Sequence, residues 1–211
     1  MSEHAPGLAD RPAHWNAVYE RQGISGVSWY QPEPAVSLAL IDALGIPPSE
    51  SMVDVGGGGS VLVDRLLEKG WRDLTVLDVS TTALGAARAR LPSDAPVTWL
   101  HQDLLSWSPS RQYGLWHDRA VLHFLVGEED RKTYHDVLLD ALRPGGSVIV
   151  ATFAPDGPEF CSGLPVMRYA ASELESFLGD EFEMGPSRRE KHTTPTGMVQ
   201  RFAWIAARRR R

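Results

Sequence analysis

Three carboxylates stand where a ligand could use them. Asp54 sits inside Val53-Asp54-Val55, just before four glycines, 56–59; Asp78 closes the apolar run Leu74-Thr75-Val76-Leu77; Asp103 follows Val97-Thr98-Trp99-Leu100 by three residues. In an open α/β sheet the ligand lies beyond the carboxyl ends of the strands. A buried carboxylate is costly unless donors or a cation meet it. Three in register with successive strands ask for a cationic ligand rich in hydrogen-bond donors. Any single one could be a helix cap or a solvated turn residue. The glycines let backbone approach that ligand closely, and the helix that follows presents free N–H groups. The dinucleotide pattern G-x-G-x-x-G fits badly, because Val61 occupies the third glycine position. An acidic residue before the turn also sits poorly with a pyrophosphate.

S-adenosylmethionine has the required chemistry: an ammonium, a sulfonium, two ribose hydroxyls and no phosphate. Asp78, beside Val79, can accept both ribose hydroxyls, and Asp103 can accept from the adenine amino group while Leu104 packs on the ring. Asp54 with Gly56, Gly57 and Gly58 is placed for the methionyl part, and Trp29 and His117 complete the expected cofactor contacts. A second group should sit above the sheet: Tyr30, Asp118, Arg119, His123, Cys161, Arg168 and His192. Of these, Arg119, Asp118, His123 and Tyr30 are the expected catalytic residues. Arg119 would orient an anionic acceptor; His123 is a base candidate with a solvent-facing alternative. Alternation along a strand sends His117 and Asp118 to opposite faces, and Asp118 is expected to face the site. Trp29 and Tyr30 are expected in a lid over the cofactor that excludes water. Cys161 reads as a half-buried, inert thiol, and His192 as part of a solvated basic edge. No His/Cys/Asp spacing matches a metal site, so no metal is expected.

The elements that must position these residues alternate. Strands are expected at Met52–Val55, Leu74–Leu77, Val97–Leu100, Tyr113–Trp116 and Val148–Phe153. Helices are expected over 61–69, 80–91 and 128–142. Ser80 caps the second, and the third carries Tyr134, Val137, Leu138, Ala141 and Leu142 on one face. Such alternation means βαβ units and a mostly parallel sheet. Two helical patterns, 12–21 and 34–44, precede it. A Pro/Gly-rich loop 154–165, a helix 172–178 and two strands, 182–190 and 198–206, follow. The last two pair antiparallel across a Thr194–Gly197 turn.

The 211 residues, 43% apolar and 23% charged with one cysteine, fit a single globular domain from a reducing compartment, hence a cytoplasmic expectation. No signal peptide or membrane span is visible. A net charge of −6 argues against nucleic acid and anionic membrane as partners. The run Arg208–Arg211 is expected to be a frayed, solvated tail. A monomer or weak homodimer is expected.

The series VDVGGGGS, VLDVS, HQDLL, LWHDRAVLHFL and LRPGGSVIVATF resembles the ordered motifs of class I S-adenosylmethionine-dependent methyltransferases over residues 50–155. Ser60 departs from the glycine that often ends the first motif. The resemblance implies an α/β, Rossmann-like seven-stranded mixed sheet, its last strand antiparallel, with helices on both faces. It divides one domain, 1–211, into a helical cap or lid (1–48), a cofactor-binding core (49–155), and a substrate loop with closing strands (156–211). Trp15-Asn16 to Tyr19, Ser28–Glu33, Asp118–Leu122 and Gly163–Val166 with Ser172–Leu174 are similar to segments of thiopurine-type S-methyltransferases. The glycine loop departs from that group. The implied acceptor is a small molecule, with a thiol as the narrower expectation. Two alternatives stay open, a protein-lysine methyltransferase and an NAD(P)-dependent oxidoreductase; a binding protein without activity is a weaker third.

Overall fold

A computed structural model describes residues 11–211. The opening ten residues, on which part of the leader and lid expectations fall, lie outside the described residues. The chain forms α1 (Arg11–Gln22), α2 (Ala35–Ala43), β1 (Met52–Val55), α3 (Leu62–Glu68), β2 (Leu74–Asp78), α4 (Thr81–Arg90) and β3 (Val97–His101). It continues through β4 (Tyr113–Arg119), α5 (Glu128–Ala141), β5 (Leu142–Phe153), a small hairpin of β6 (Phe160–Cys161) and β7 (Leu164–Pro165), α6 (Ala171–Leu178), β8 (Phe182–Thr193) and β9 (Val199–Arg209). Seven strands make one sheet in the order β3-β2-β1-β4-β5-β9-β8. Strands β1 to β5 pair parallel, and β9 runs antiparallel to both its neighbours. The expected mixed sheet with an antiparallel last strand is therefore the observed one. The order reverses between β1 and β4, which opens a crevice at their carboxyl ends.

Alternation divides the core. Val53, Trp116, Val148 and Ile205 face α5 and α6, packing with Tyr134, Leu138 and Leu174. Met52, Leu115, Ile149 and Trp204 face α2 and α3, packing with Leu40, Ile41 and Leu66. Ser80 caps α4 as expected, its hydroxyl accepting from the Ala83 N–H at 3.1 Å. Among the described residues no helix is long and apolar enough to cross a membrane.

Four expectations need correction. β4 runs through Arg119 rather than stopping at Trp116, so His117, Asp118 and Arg119 are strand residues. The loop 154–165 contains the β6–β7 hairpin. The arginine run is not frayed: β9 reaches Arg209, whose guanidinium donates to the carbonyls of Leu139 and Leu142 at the end of α5, where the helix leaves carbonyls unpaired.

Asp118 is the largest departure. It faces α5, away from the crevice, and is fully buried. Its carboxylate accepts from the N–H groups of Val121 (2.8 Å) and Leu122 (3.0 Å) and from the Tyr134 hydroxyl (2.8 Å). It therefore fixes the turn after β4, where Ala120 takes a left-handed φ of 78°. Burial raises the Asp118 pKa to about 6, which fits a carboxylate held by neutral donors alone. Asp118→Ala would leave three buried donors without an acceptor, and we expect a loss of about 3 kcal/mol in urea unfolding. The affinity of the folded protein for S-adenosylhomocysteine should hold within about threefold; loss of that affinity alone, at unchanged stability, would return Asp118 to the site.

Candidate active site

At the carboxyl ends of β1, β2 and β4 a cavity of about 470 Å³ opens, within the range of small-molecule pockets. One end is lined by Asp78, Val79, Gln102, Asp103 and Leu104, just past β2 and β3. The other is aromatic, with Trp15, Trp29, Phe124, Phe153 and Phe202, and is lined as well by Cys161, Leu164 and Pro165 of the hairpin. A much smaller cavity, about 40 Å³, lies between the glycine turn and residues 24–37; Asp54, His117, Tyr30 and Ser37 line it. Gly56, Trp29 and Arg119 line both.

The glycine turn is tight because carboxylates crowd it. Gly56 holds a φ of 65°, open to glycine at no cost. A Cβ on Gly57 would lie 2.5 Å from an oxygen of Asp54, and one on Gly58 would collide with Asp78. Asp78 Oδ1 accepts from the Ser80 N–H at 2.8 Å. Burial, with Asp54 nearby, raises the Asp78 pKa to about 7. Asp103 Oδ1 accepts from Leu105 N–H at 2.9 Å, while Oδ2 is buried without a hydrogen-bond partner, 3.5 Å from Arg11. Asp54 Oδ1 lies 2.7 Å from His117 Nδ1, and His117 Nε2 lies 3.0 Å from the Ser37 hydroxyl. An unpartnered oxygen on Asp103, with the carboxylates of Asp54 and Asp78 at the glycine turn, suits a ligand that brings hydroxyls, an amino group and positive charge.

β4 thus sends His117 to the crevice and Asp118 away, the reverse of the assignment made on sequence. Arg119 is buried over the Phe202 ring, 4.5 Å from its centroid, and donates to the Trp29 carbonyl at 2.9 Å. Burial lowers its pKa only to about 10, so it stays charged. His123 lines the large cavity but is fully buried, which removes the solvent-facing alternative. Burial, helped by Arg119, pushes its pKa down to about 3. Cys161 is buried and its thiol is pushed up to about 11, in keeping with an inert thiol. Tyr30 reaches only the small cavity. Arg168 binds loop carbonyls and Glu159 instead of the site. His192 is buried rather than solvated, bonding the Ser28 carbonyl at 2.8 Å.

That bond, with Gln200 on the Ser28 hydroxyl (3.1 Å) and Gln31 on Glu190 (2.6 Å), fastens residues 28–31 to β8 and β9. The aromatic pair expected as a lid is a strap in this structure. Trp29 meets Trp15 and Tyr19 edge-on at 5.7 and 5.8 Å. Glu190, Ser37 and Phe202 were not expected at the site. Phe202 was legible only as one face of an alternating strand, and Glu190 and Ser37 gave no signal of their own.

The methyltransferase domain family matches residues 52–146. The match covers less than half of the chain, and the fold is one that solved methyltransferase structures share. Magnesium protoporphyrin IX methyltransferase from Synechocystis PCC 6803 is similar at 17% identity and TM-score 0.73, over 99% of this chain and 100% of that one. The 1,6-didemethyltoxoflavin-N1-methyltransferase of Burkholderia thailandensis is similar at 17% identity and TM-score 0.71, over 100% and 94%. By sequence, the eEF1A lysine and N-terminal methyltransferase of Bos taurus is 25% identical over 128 residues, 59% of this chain but only 18% of the relative's own length.

The raised pKa of Asp78 gives the site a pH signature. A ribose seated on Asp78 would donate best to the ionised carboxylate, so its binding would favour the form that exists above about pH 7. We expect the affinity for S-adenosylhomocysteine to rise about tenfold from pH 6 to pH 8. Asp78→Asn should bind about 30-fold more weakly at pH 8 and lose the pH dependence. Calorimetric titration at the two pH values checks this; equal affinity in the variant would remove Asp78 from the ribose position.

Proposed function

We propose that this chain moves the methyl group of S-adenosylmethionine to a small-molecule acceptor, and that among such acceptors a thiol is favoured. One observation carries the reading. A single cavity runs from the strand-end carboxylates to an aromatic end that the β6–β7 hairpin also lines, and a pocket of this size suits a small, largely apolar molecule with few polar anchors. Relatives of the same fold whose names specify small acceptors support it, namely those acting on 1,6-didemethyltoxoflavin and on magnesium protoporphyrin IX.

When bound, S-adenosylmethionine supplies an electrophilic methyl on a sulfonium. Asp78 would hold the ribose, and Asp103 with Leu104 the adenine. Asp54, itself braced by His117 and Ser37, would face the ammonium across the glycine turn. The strap residues Trp29 and Tyr30 would keep water from the methionyl part. The work of these groups is to hold nucleophile, carbon and sulfur in line. A thiolate needs no base for this, which agrees with a site where His123 is held neutral.

The sequence relatives named for lysine and N-terminal methylation motivate the competing reading of a protein acceptor. A panel of small thiols, amines, hydroxyls and carboxylates, beside a lysine-containing protein substrate, separates the two by release of S-adenosylhomocysteine. The proposal expects turnover of at least one small acceptor, thiols foremost. Turnover of the protein lysine alone would defeat it.

A further inference from the structure

The aromatic end of the large cavity offers donors and nothing that takes a proton. Arg119 uses one nitrogen on the Trp29 carbonyl, while its Nε and Nη2 are buried without a partner. Glu190 lies 3.9 Å from Nε and balances the charge, but its two oxygens are taken by Gln31 (2.6 Å) and Trp204 (2.8 Å). His123 receives the Phe153 N–H at Nδ1, 3.4 Å away. A neutral imidazole that accepts at Nδ1 carries its proton on Nε2. That Nε2–H is buried and also lacks a partner. Cys161 holds its proton at neutral pH. The carboxylates that line the cavity belong to the opposite end, where Arg11 pairs with Asp130 at 2.9 Å and approaches Asp103.

We propose that the acceptor enters this end as an anion, its negative group seated on the free nitrogens of Arg119 and on the Nε2–H of His123. The inference rests on the methyl-transfer reading and narrows its acceptor class to small apolar or aromatic thiolates and carboxylates. His123 is then a hydrogen-bond donor to the acceptor and not a general base. The step balances without a proton. A lone pair on the anionic sulfur or oxygen forms the bond to the methyl carbon, the carbon–sulfur bond of the sulfonium breaks, and its electron pair stays on sulfur. The anion and the sulfonium both become neutral. An ammonium acceptor would first have to lose a proton, and no described residue lining this end takes one. It would also meet the guanidinium and the sulfonium as like charges.

The test titrates three molecules of one shape and different charge, benzoate, benzamide and benzylamine, into protein saturated with S-adenosylhomocysteine, with Kd read by calorimetry. Benzoate should bind about tenfold more tightly than benzamide, with benzylamine weakest, in line with a charge-assisted bond. Arg119→Gln should abolish that preference. His123→Leu should weaken benzoate about fivefold, and His123→Gln, which restores a donor, should recover part of the loss. If Arg119→Gln does not fold, Arg119→Lys keeps the charge without the fork and should retain a reduced preference for the anion. Benzamide binding as tightly as benzoate, a preference that survives in Arg119→Gln, or no benzoate binding at millimolar concentration would each overturn the proposal. Failure of S-adenosylhomocysteine to bind the wild-type chain would instead refute the methyl-transfer reading beneath it.

Discussion

β4 carries its last three side chains alternately to opposite faces of the sheet, and the site depends on that alternation. His117 turns to Asp54 on the neighbouring strand, Asp118 turns to Tyr134 beneath α5, and Arg119 turns back into the crevice. The parallel register of β4 on β1, with His117 beside Asp54 and Asp118 beside Val55, fixes all three at once. A slip of one residue would exchange the faces. It would put the Asp118 carboxylate among the glycine turn's own carboxylates and drive the guanidinium under α5. The buried acceptors and donors on each face make that register expensive to leave.

The same alternation separates charge. Carboxylates gather at the glycine turn and the ends of β2 and β3, as Asp54, Asp78 and Asp103, the last with one oxygen unpartnered. Donors gather at the aromatic end, around Arg119 and His123. A ligand that is cationic and hydroxyl-rich at one end of the cavity and an acceptor at the other would each find the complementary field. The strap of residues 28–31 closes the arrangement by bonding to β8 and β9, so the last two strands position the roof as well as the Phe202 ring under Arg119.

Much of this was legible in the sequence because it is written in local pattern. Short apolar runs around Asp54 and Asp78 are strands, and both carboxylates line cavities at the strand ends. The apolar face of 128–142 can only be a helix laid on a sheet, and the alternation of 198–206 places Phe202 and Trp204 on one face as observed. What escaped was set at long range. Asp118 and His117 differ by one position, and only the packing of Tyr134 and Ser37 from distant helices decides which faces the crevice. His123 takes its tautomer from a backbone N–H thirty residues on. Arg209 finds its carbonyls at the end of α5, a partner that no run of arginines announces.

The central claim is that the strand-end carboxylates hold a cationic nucleoside without a phosphate. Calorimetric titration of the wild-type chain with S-adenosylmethionine and, separately, with NADH tests it directly. Saturable one-to-one binding of S-adenosylmethionine is expected, with no measurable heat of binding for NADH. Binding of NADH, with none for S-adenosylmethionine, would contradict it.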